Sequence, residues 1–324
     1  MVEVADGIFQ IVVPTPWPVG PVNVYLIDDE PLTLFDTGPI DDPSFAALEV
    51  GLAECGRRVE DLKRVVVSHQ HPDHWGAAQP LARRAGAELC GLADFAVWLA
   101  DYPGSLNRDD RFADDVMRAH GVVRSPDAPG AYGGDLSHCE PARVTRTLRD
   151  GDALEFNHRR LDVLHRPGHS RSDTVLYDKA CGVLVGADHV MRWPSTPLLS
   201  PPLDGAEEGP GRPRAFAEYQ ASLLATQAME VERILPGHGD VIRDPADVID
   251  ARLRLYEQRT EGMFAVVDAQ PTTALELATR TRGAIAERSI FFALCDTLGY
   301  LDALIDAGVV AETDVDGVAQ FART

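Results

Sequence analysis

Three histidines and an aspartate fall within six positions in the run Ser68-His69-Gln70-His71-Pro72-Asp73-His74. Imidazole and carboxylate are the usual ligands of zinc and similar divalent ions. His69 and His71 are two residues apart, so extended backbone points both to one side. Pro72 keeps the run out of a helix interior. Asp73 and His74 come after a turn and can face a second position. The spacing therefore points to two metal ions rather than one. More ligands are needed to complete two sites, and three later places offer them: Pro167-Gly168-His169, Gly186-Ala187-Asp188 and Pro236-Gly237-His238. A glycine directly before His169 and His238, and two residues before Asp188, permits a tight turn and a close backbone approach.

Each of these residues lies just beyond a stretch that reads as a strand, where a rigid sheet can aim the loop. Val65-Val66-Val67 precedes the histidine run, and 161–165, 183–186 and 232–235 precede the other three. Further strands are predicted at 8–13, 22–28, 32–36, 88–91, 145–148, 153–156 and 174–178. Helices are predicted over 43–56, 76–85, 93–100, 214–229 and 246–267. Residues 101–140 read as an insertion, with a charged amphipathic stretch from Asp109 to His120 and then a Pro/Gly-rich coil ending at Gly133-Gly134. A second Pro/Gly-rich loop spans 192–213 and contains Gly209-Pro210-Gly211. Loops of this length are often lids or binding loops. Pro271 marks a boundary. Beyond it the pattern reads helix, helix, helix (300–307) and then a hairpin around Asp314–Gly317, the order of a winged-helix module. A catalytic domain over 1–268 and a C-terminal module over 269–324 are the expected division.

The HxHxDH run at 69–74, the PGH at 167–169, the GAD at 186–188, the PGH at 236–238 and Phe35-Asp36-Thr37-Gly38 together resemble the metallo-β-lactamase-fold superfamily of metal hydrolases, over about residues 5–265. The C-terminal module looks like the tail carried by its glyoxalase II, thioesterase and lactonase-like branch. The resemblance implies an α+β fold, a four-layer αββα sandwich ending in the helical, winged-helix module. It implies one metal held by His69, His71 and His169, another held by Asp73, His74 and His238, and Asp188 bridging them. Two divalent ions are expected, zinc first, with iron or manganese compatible. Asp36 is expected to orient a ligand loop from behind. Position 71 is His where oxygen-reducing diiron members carry Glu, which favours hydrolysis. Asp173 departs from thioesterase-like relatives, many of which have a second histidine there, and so weakens assignment to the glutathione-thioester branch.

The resemblance implies a metal-dependent hydrolase whose shared water, acidified to hydroxide, attacks the carbonyl of a thioester, lactone or carboxylic ester. Asp73 is expected to be catalytic as well as a ligand, taking the proton. Ser170 and Cys139 read as structural, and His138, His158, His165 and His189 receive no ligand role. The 101–140 insertion and the 192–213 loop are expected to build the substrate pocket, with Trp98, Tyr102, Tyr132 and Trp193 as aromatic walls and Trp75 at the metal rim. The arginines between 143 and 171 read as a solvated face that could also hold a carboxylate or a coenzyme A phosphate. A metal-dependent phosphodiesterase or ribonuclease is the alternative.

Composition bears on that alternative. The 324 residues carry a formal net charge of −21. Such a surface repels phosphate backbones and gives no general attraction to anionic lipid. Residues 272–324 hold four arginines against eight acids, net −4, where a DNA reader would need a basic face. The expected partner is a small acyl substrate, with coenzyme A and glutathione as candidate carriers. No nucleic acid and no membrane are expected, and a homodimer is compatible. Five scattered cysteines without a C-x-x-C pair, and the lack of a signal-like or membrane-length apolar run, lead to the expectation of a cytoplasmic protein.

Overall fold

The structure, a computed structural model, describes residues 1–125, 130–132, 136–206 and 211–324. Gly133-Gly134 and Gly209-Pro210 of the two Pro/Gly-rich stretches lie outside the described residues. The first sheet takes seven strands in chain order: β1 (Val2–Ala5), β2 (Ile8–Val13), β3 (Val22–Ile27), β4 (Thr33–Phe35), β5 (Arg64–Val66), β6 (Glu88–Leu92) and β7 (Arg146–Leu148). It is antiparallel as far as β4 and parallel from β4 to β7. The second sheet holds β8 (Ala153–Glu155), β9 (Arg160–His165), β10 (Thr174–Asp178), β11 (Val183–Ala187) and β12 (Arg233–Pro236), in the order β12-β11-β10-β9-β8. Only the β11–β12 pair is parallel in that sheet.

β3 shows why the sheets stack. A strand alternates its side chains between faces. Val22, Val24 and Leu26 meet Leu48 and Leu52 of helix α1 (Asp42–Glu54) on the outside. Tyr25 and Ile27 turn inward, to Leu161, Val163, Leu176 and Val185 of the second sheet. Both faces are covered, so the strand is apolar almost throughout. After β5 come α2 (Pro72–Trp75) and α3 (Ala78–Ala85), then α4 (Ala93–Ala100) and α5 (Tyr102–Ala119). Ala78 and Ala82 of α3 and Phe95 of α4 cover Val65, Val67 and Leu89 of the first sheet. On the second sheet, Phe216, Tyr219 and Leu223 of α6 (Ala215–Gln227) and Ile249 and Tyr256 of α7 (Pro245–Val266) cover Val175, Leu184 and Ile234. The result is the α+β, four-layer αββα sandwich.

The C-terminal segment contains β13 (Thr272–Thr273), α8 (Ala274–Arg282), α9 (Ile290–Asp306), β14 (Val310–Val315) and β15 (Val318–Arg323), with a three-stranded sheet in the order β13-β15-β14. The separate helix expected at 300–307 is corrected. It is the second half of α9, which runs unbroken through Gly299. A Cβ on Gly299 would stand 2.6 Å from the Cβ of Phe216 in α6. That glycine serves a close helix–helix approach and does not end a helix. Leu294, Leu298, Leu301 and Phe321 share one core with Phe216, Tyr256 and Met263, so the segment is packed onto the second-sheet face of the sandwich.

His120, at the end of α5, stacks on Phe321 with ring centroids 6.0 Å apart. Burial, with Arg212 nearby, pushes its imidazole down to about 4. The unfolded chain takes up this proton near pH 6.5, whereas the folded chain takes it up only near pH 4. Stability is therefore lost as pH falls through that window, by about 1.4 kcal/mol per pH unit for this group. In denaturation series at pH 7, 6, 5 and 4, His120→Asn is expected to show the shallower loss. Equal slopes would mean that His120 contributes none of it.

Candidate metal centre

Every ligand candidate sits at the end of a strand, and the two sheets bring these ends together. The loop after β5 delivers His69 and His71. Pro72 then starts the single turn of α2, which turns Asp73 and His74 inward. The loop after β9 delivers His169, the end of β11 delivers Asp188, and the loop after β12 delivers His238. His69, His71, His169 and Asp188 form one group and Asp73, His74 and His238 a second, with the candidate ligand atoms of each group within 4.8 Å of one another.

The atoms converge as metal ligands do. His71 Nδ1 lies 3.0 Å from His69 Nε2 and 2.9 Å from His169 Nε2. Burial pushes His69 well down, and burial with His71 beside it takes His169 to about 3. Both rings are thus held neutral, the form that ligates. In the second group, His238 Nε2 lies 3.2 Å from Asp73 Oδ2. Asp188 spans both groups: Oδ1 is 3.4 Å from His74 Nε2, while Oδ2 is 3.4 Å from His169 Nε2 and 3.7 Å from His238 Nε2. Burial works against its charge, but His74, His169 and His238 hold it well below the usual carboxylate range.

Whether the residues fit a metal pair is answered by atoms without partners. His74 Nε2, His238 Nε2 and Asp188 Oδ1 are buried with no hydrogen bond. An unsatisfied buried polar atom is costly, and three that face a common centre are what cations would satisfy. His74 tells the same story. Burial lowers its pKa, yet Asp188, Asp73 and Asp36 together raise it well above its usual value. The pocket is short of positive charge, and divalent ions would supply it.

Asp36 stands behind both groups. It is fully buried and takes a left-handed φ of 61°. Its Oδ2 accepts from His74 Nδ1 at 2.7 Å and from Ser68 Oγ at 2.8 Å, and its Oδ1 accepts from Ser68 N at 2.8 Å. Ser68 Oγ in turn lies 2.9 Å from His69 Nδ1. With the Nε2 atoms turned to the centre, one carboxylate thus fixes a ligand of each group, the arrangement that sets ring orientation and tautomer. Sequence reasoning picked out Asp36 and missed Ser68, although it directly precedes the first ligand. It also missed Asn23 and Tyr25. Asn23 Nδ2 donates to the Pro236 and Gly239 carbonyls at 2.9 and 2.8 Å, and Tyr25 Oη donates to the Pro236 carbonyl at 2.6 Å. These bonds hold the His238 loop. The available signal was an asparagine inside the otherwise apolar run Val-Asn-Val-Tyr-Leu-Ile.

A cleft of about 220 Å³ opens beside His71 and Asp73, lined also by Trp17, Gln70, Trp98, Tyr102, Leu106, Asp109 and Tyr132. Trp98, Tyr102 and Tyr132 line this cleft from α4, α5 and the segment after it. One pocket expectation is corrected. Trp75 has no exposed surface, because the turn of α2 buries it against Tyr102, with Nε1 donating to the Gln70 carbonyl. Trp193 is not among the cleft residues. It is 42% exposed and lies over Gly239, where a Cβ would come within 3.0 Å of its ring. The segment with Leu199 and Leu203 braces the cleft wall, their carbonyls accepting from Tyr132 and Arg108. Trp17, on the loop between β2 and β3, was missed. Arg146, Arg159 and Arg160 are paired with Glu88, Asp178 and Asp162. His165 and His189 bond the Arg171 carbonyl and the Thr226 hydroxyl.

The family model described as the metallo-beta-lactamase superfamily matches residues 17–238, which include all seven ligand candidates. The chain belongs to this superfamily. As a superfamily member it is 28% identical over 312 residues to a probable metallo-hydrolase of Bacillus subtilis, YqjP, covering 92% of each chain. It is 30% identical over 151 residues to the human acyl-coenzyme A thioesterase MBLAC2, covering 43% of this chain and 47% of that one. Among solved structures, a metallo-beta-lactamase family protein from Thermus thermophilus superposes with a TM-score of 0.81 at 25% identity, covering 99% of this chain and all of that one. A beta-lactamase domain protein from Burkholderia ambifaria gives 0.80 at 26% identity, covering 100% and 93%. This superfamily member is built to bind metal, and among the described residues no helix is long and apolar enough to cross a membrane.

Proposed function

We propose that the chain hydrolyses a carboxylic acyl bond, in a thioester, ester or lactone, with two divalent ions, zinc first. His69, His71 and His169 would hold one ion and Asp73, His74 and His238 the other, with Asp188 between them. One observation carries the reading. His71 and Asp73 belong both to the ligand groups and to the wall of an aromatic cleft. An acyl group seated in the cleft therefore presents its carbonyl at the ligand groups. Bound ions would supply a water acidic enough to attack near neutral pH and a Lewis acid for the carbonyl oxygen.

The chain's own residues do the rest. Asp73, at the junction of cleft and ligands, accepts the proton released on attack. Trp98, Tyr102 and Leu106 shield the acyl group from bulk water. Neither a serine nor a cysteine nucleophile is required, and the Ser170 hydroxyl is already committed to Asp173 at 2.7 Å. The partial likeness to an acyl-coenzyme A thioesterase supports a thioester. The charge of −21 speaks against a nucleic-acid substrate.

A panel on zinc-loaded protein tests the reading: acyl-coenzyme A and glutathione thioesters, lactones, aryl esters, bis-p-nitrophenyl phosphate and RNA. Turnover of at least one acyl class is expected. Chelation should abolish it and zinc restore it, and Asp73→Ala, with its fold intact, should lower kcat/KM more than about a hundredfold. Turnover confined to the phosphodiesters, or full acyl activity in Asp73→Ala, would overturn it.

A further inference from the structure

Asp109 is the unexplained residue of the cleft. It projects from α5, is 1% exposed, and lines the same cavity as His71 and Asp73. Its Oδ2 accepts from Trp98 Nε1 at 2.8 Å, while its Oδ1 is buried with no hydrogen-bond partner. A buried carboxylate oxygen without a donor costs free energy that a fold rarely leaves uncompensated. Arg108, the preceding residue, donates to the Leu203 carbonyl. Four aromatic residues, Trp17, Trp98, Tyr102 and Tyr132, line the cavity with it. Aromatic faces attract cations, and aromatic walls closed by a carboxylate suit an ammonium group.

We propose that this end of the cleft receives a positively charged amine or quaternary ammonium group carried by the substrate, and that Asp109 selects for it. The inference rests on the acyl-hydrolase reading and names the class of acyl group. The substrate is an acyl compound whose far end is cationic, with its carbonyl at His71 and Asp73 and its ammonium at Asp109. Burial raises the Asp109 carboxyl to about 6, so at neutral pH it still carries the charge that such a group needs. The chain's strong overall negative charge also favours approach of a cation over an anion.

Two probes of equal shape test this on the intact protein by calorimetry at pH 7.5: choline, and 3,3-dimethylbutan-1-ol, in which carbon replaces the charged nitrogen. Choline is expected to bind about tenfold more tightly or better. Asp109→Asn, shown by circular dichroism to be folded, should remove most of the difference. Should that variant not fold, wild type alone decides, because choline binding should then weaken as pH is lowered from 7.5 to 5. Equal binding of the two probes, a preference unchanged in Asp109→Asn, or a pH-independent preference in wild type would overturn the proposal. A second arm compares kcat/KM for 4-(trimethylammonio)butanoyl and 5,5-dimethylhexanoyl thioesters. Acyl turnover without preference for the cationic ester sinks the proposal and leaves the hydrolase reading standing. Choline binding that depends on Asp109 with no acyl turnover sinks the hydrolase reading and the acyl part of the proposal, and leaves only the ammonium site standing.

Discussion

Asp188→Asn is expected to strip both metals from the protein, whereas His238→Ala should cost only one. The asparagine keeps the shape of the side chain and removes its charge. That charge lies within 3.7 Å of nitrogens from His74, His169 and His238, so it serves both ligand groups at once. Losing a hydrogen-bond partner one step outside a metal site commonly costs ten- to a hundredfold in affinity or activity, about 1.4 to 2.7 kcal/mol. Loss of the carboxylate that touches both groups should exceed a hundredfold in kcat/KM on any acyl substrate the panel identifies. Metal analysis after gel filtration, alongside circular dichroism to verify the fold, reads the result. Two ions retained in Asp188→Asn would mean that the carboxylate is not shared.

Gly168→Ala should be the most destabilising of the small substitutions. Gly168 has a φ of 152°, and a Cβ there would stand 2.4 Å from the Cβ of Tyr219 and 2.5 Å from its Cα. The neighbour is the backbone of α6 and cannot rotate away. Strain of about 1–3 kcal/mol at such a φ adds to overpacking of about 1–3 kcal/mol. A total near 4 kcal/mol is a large part of the roughly 5–15 kcal/mol that holds a domain folded. The same change at Gly262, inside α7 with nothing within 4 Å, should be neutral or stabilising by up to about 1 kcal/mol. Urea denaturation of the two variants gives the comparison, and equal midpoints would refute the steric account.

The candidate ligands were legible because they announce themselves locally. Four crowd into the single run 69–74, and the other three follow short strands with a glycine one or two residues before them, which is chemistry that one sequence window can show. Most strands and helices were legible from the same periodicities. What escaped depends on partners distant in the chain. Gly299 interrupts a helical pattern, and only the presence of Phe216 against it shows why the helix continues. Trp75 adjoins the ligand run, yet whether it lines the cleft depends on how the turn begun by Pro72 is rotated. Trp17 and Ser68 carried no periodic signal. Asp109 read as one charge among many on a charged helix, because nothing local shows that its outer face is covered.

The clasp from Asn23 to the Pro236–Gly239 loop has a kinetic consequence. It joins residues separated by 213 to 216 positions. A contact at such separation carries a large loop-closure entropy, and chains rich in these contacts fold slowly. His238 can meet Asp73 only once that loop is closed. Complete ligation is then confined to species in which both sheets have already docked. Ions that bind only there would leave the folding rate nearly unchanged and act on the rate of escape. Bound metal would make this a protein that is slow to come apart, not one that is quick to assemble.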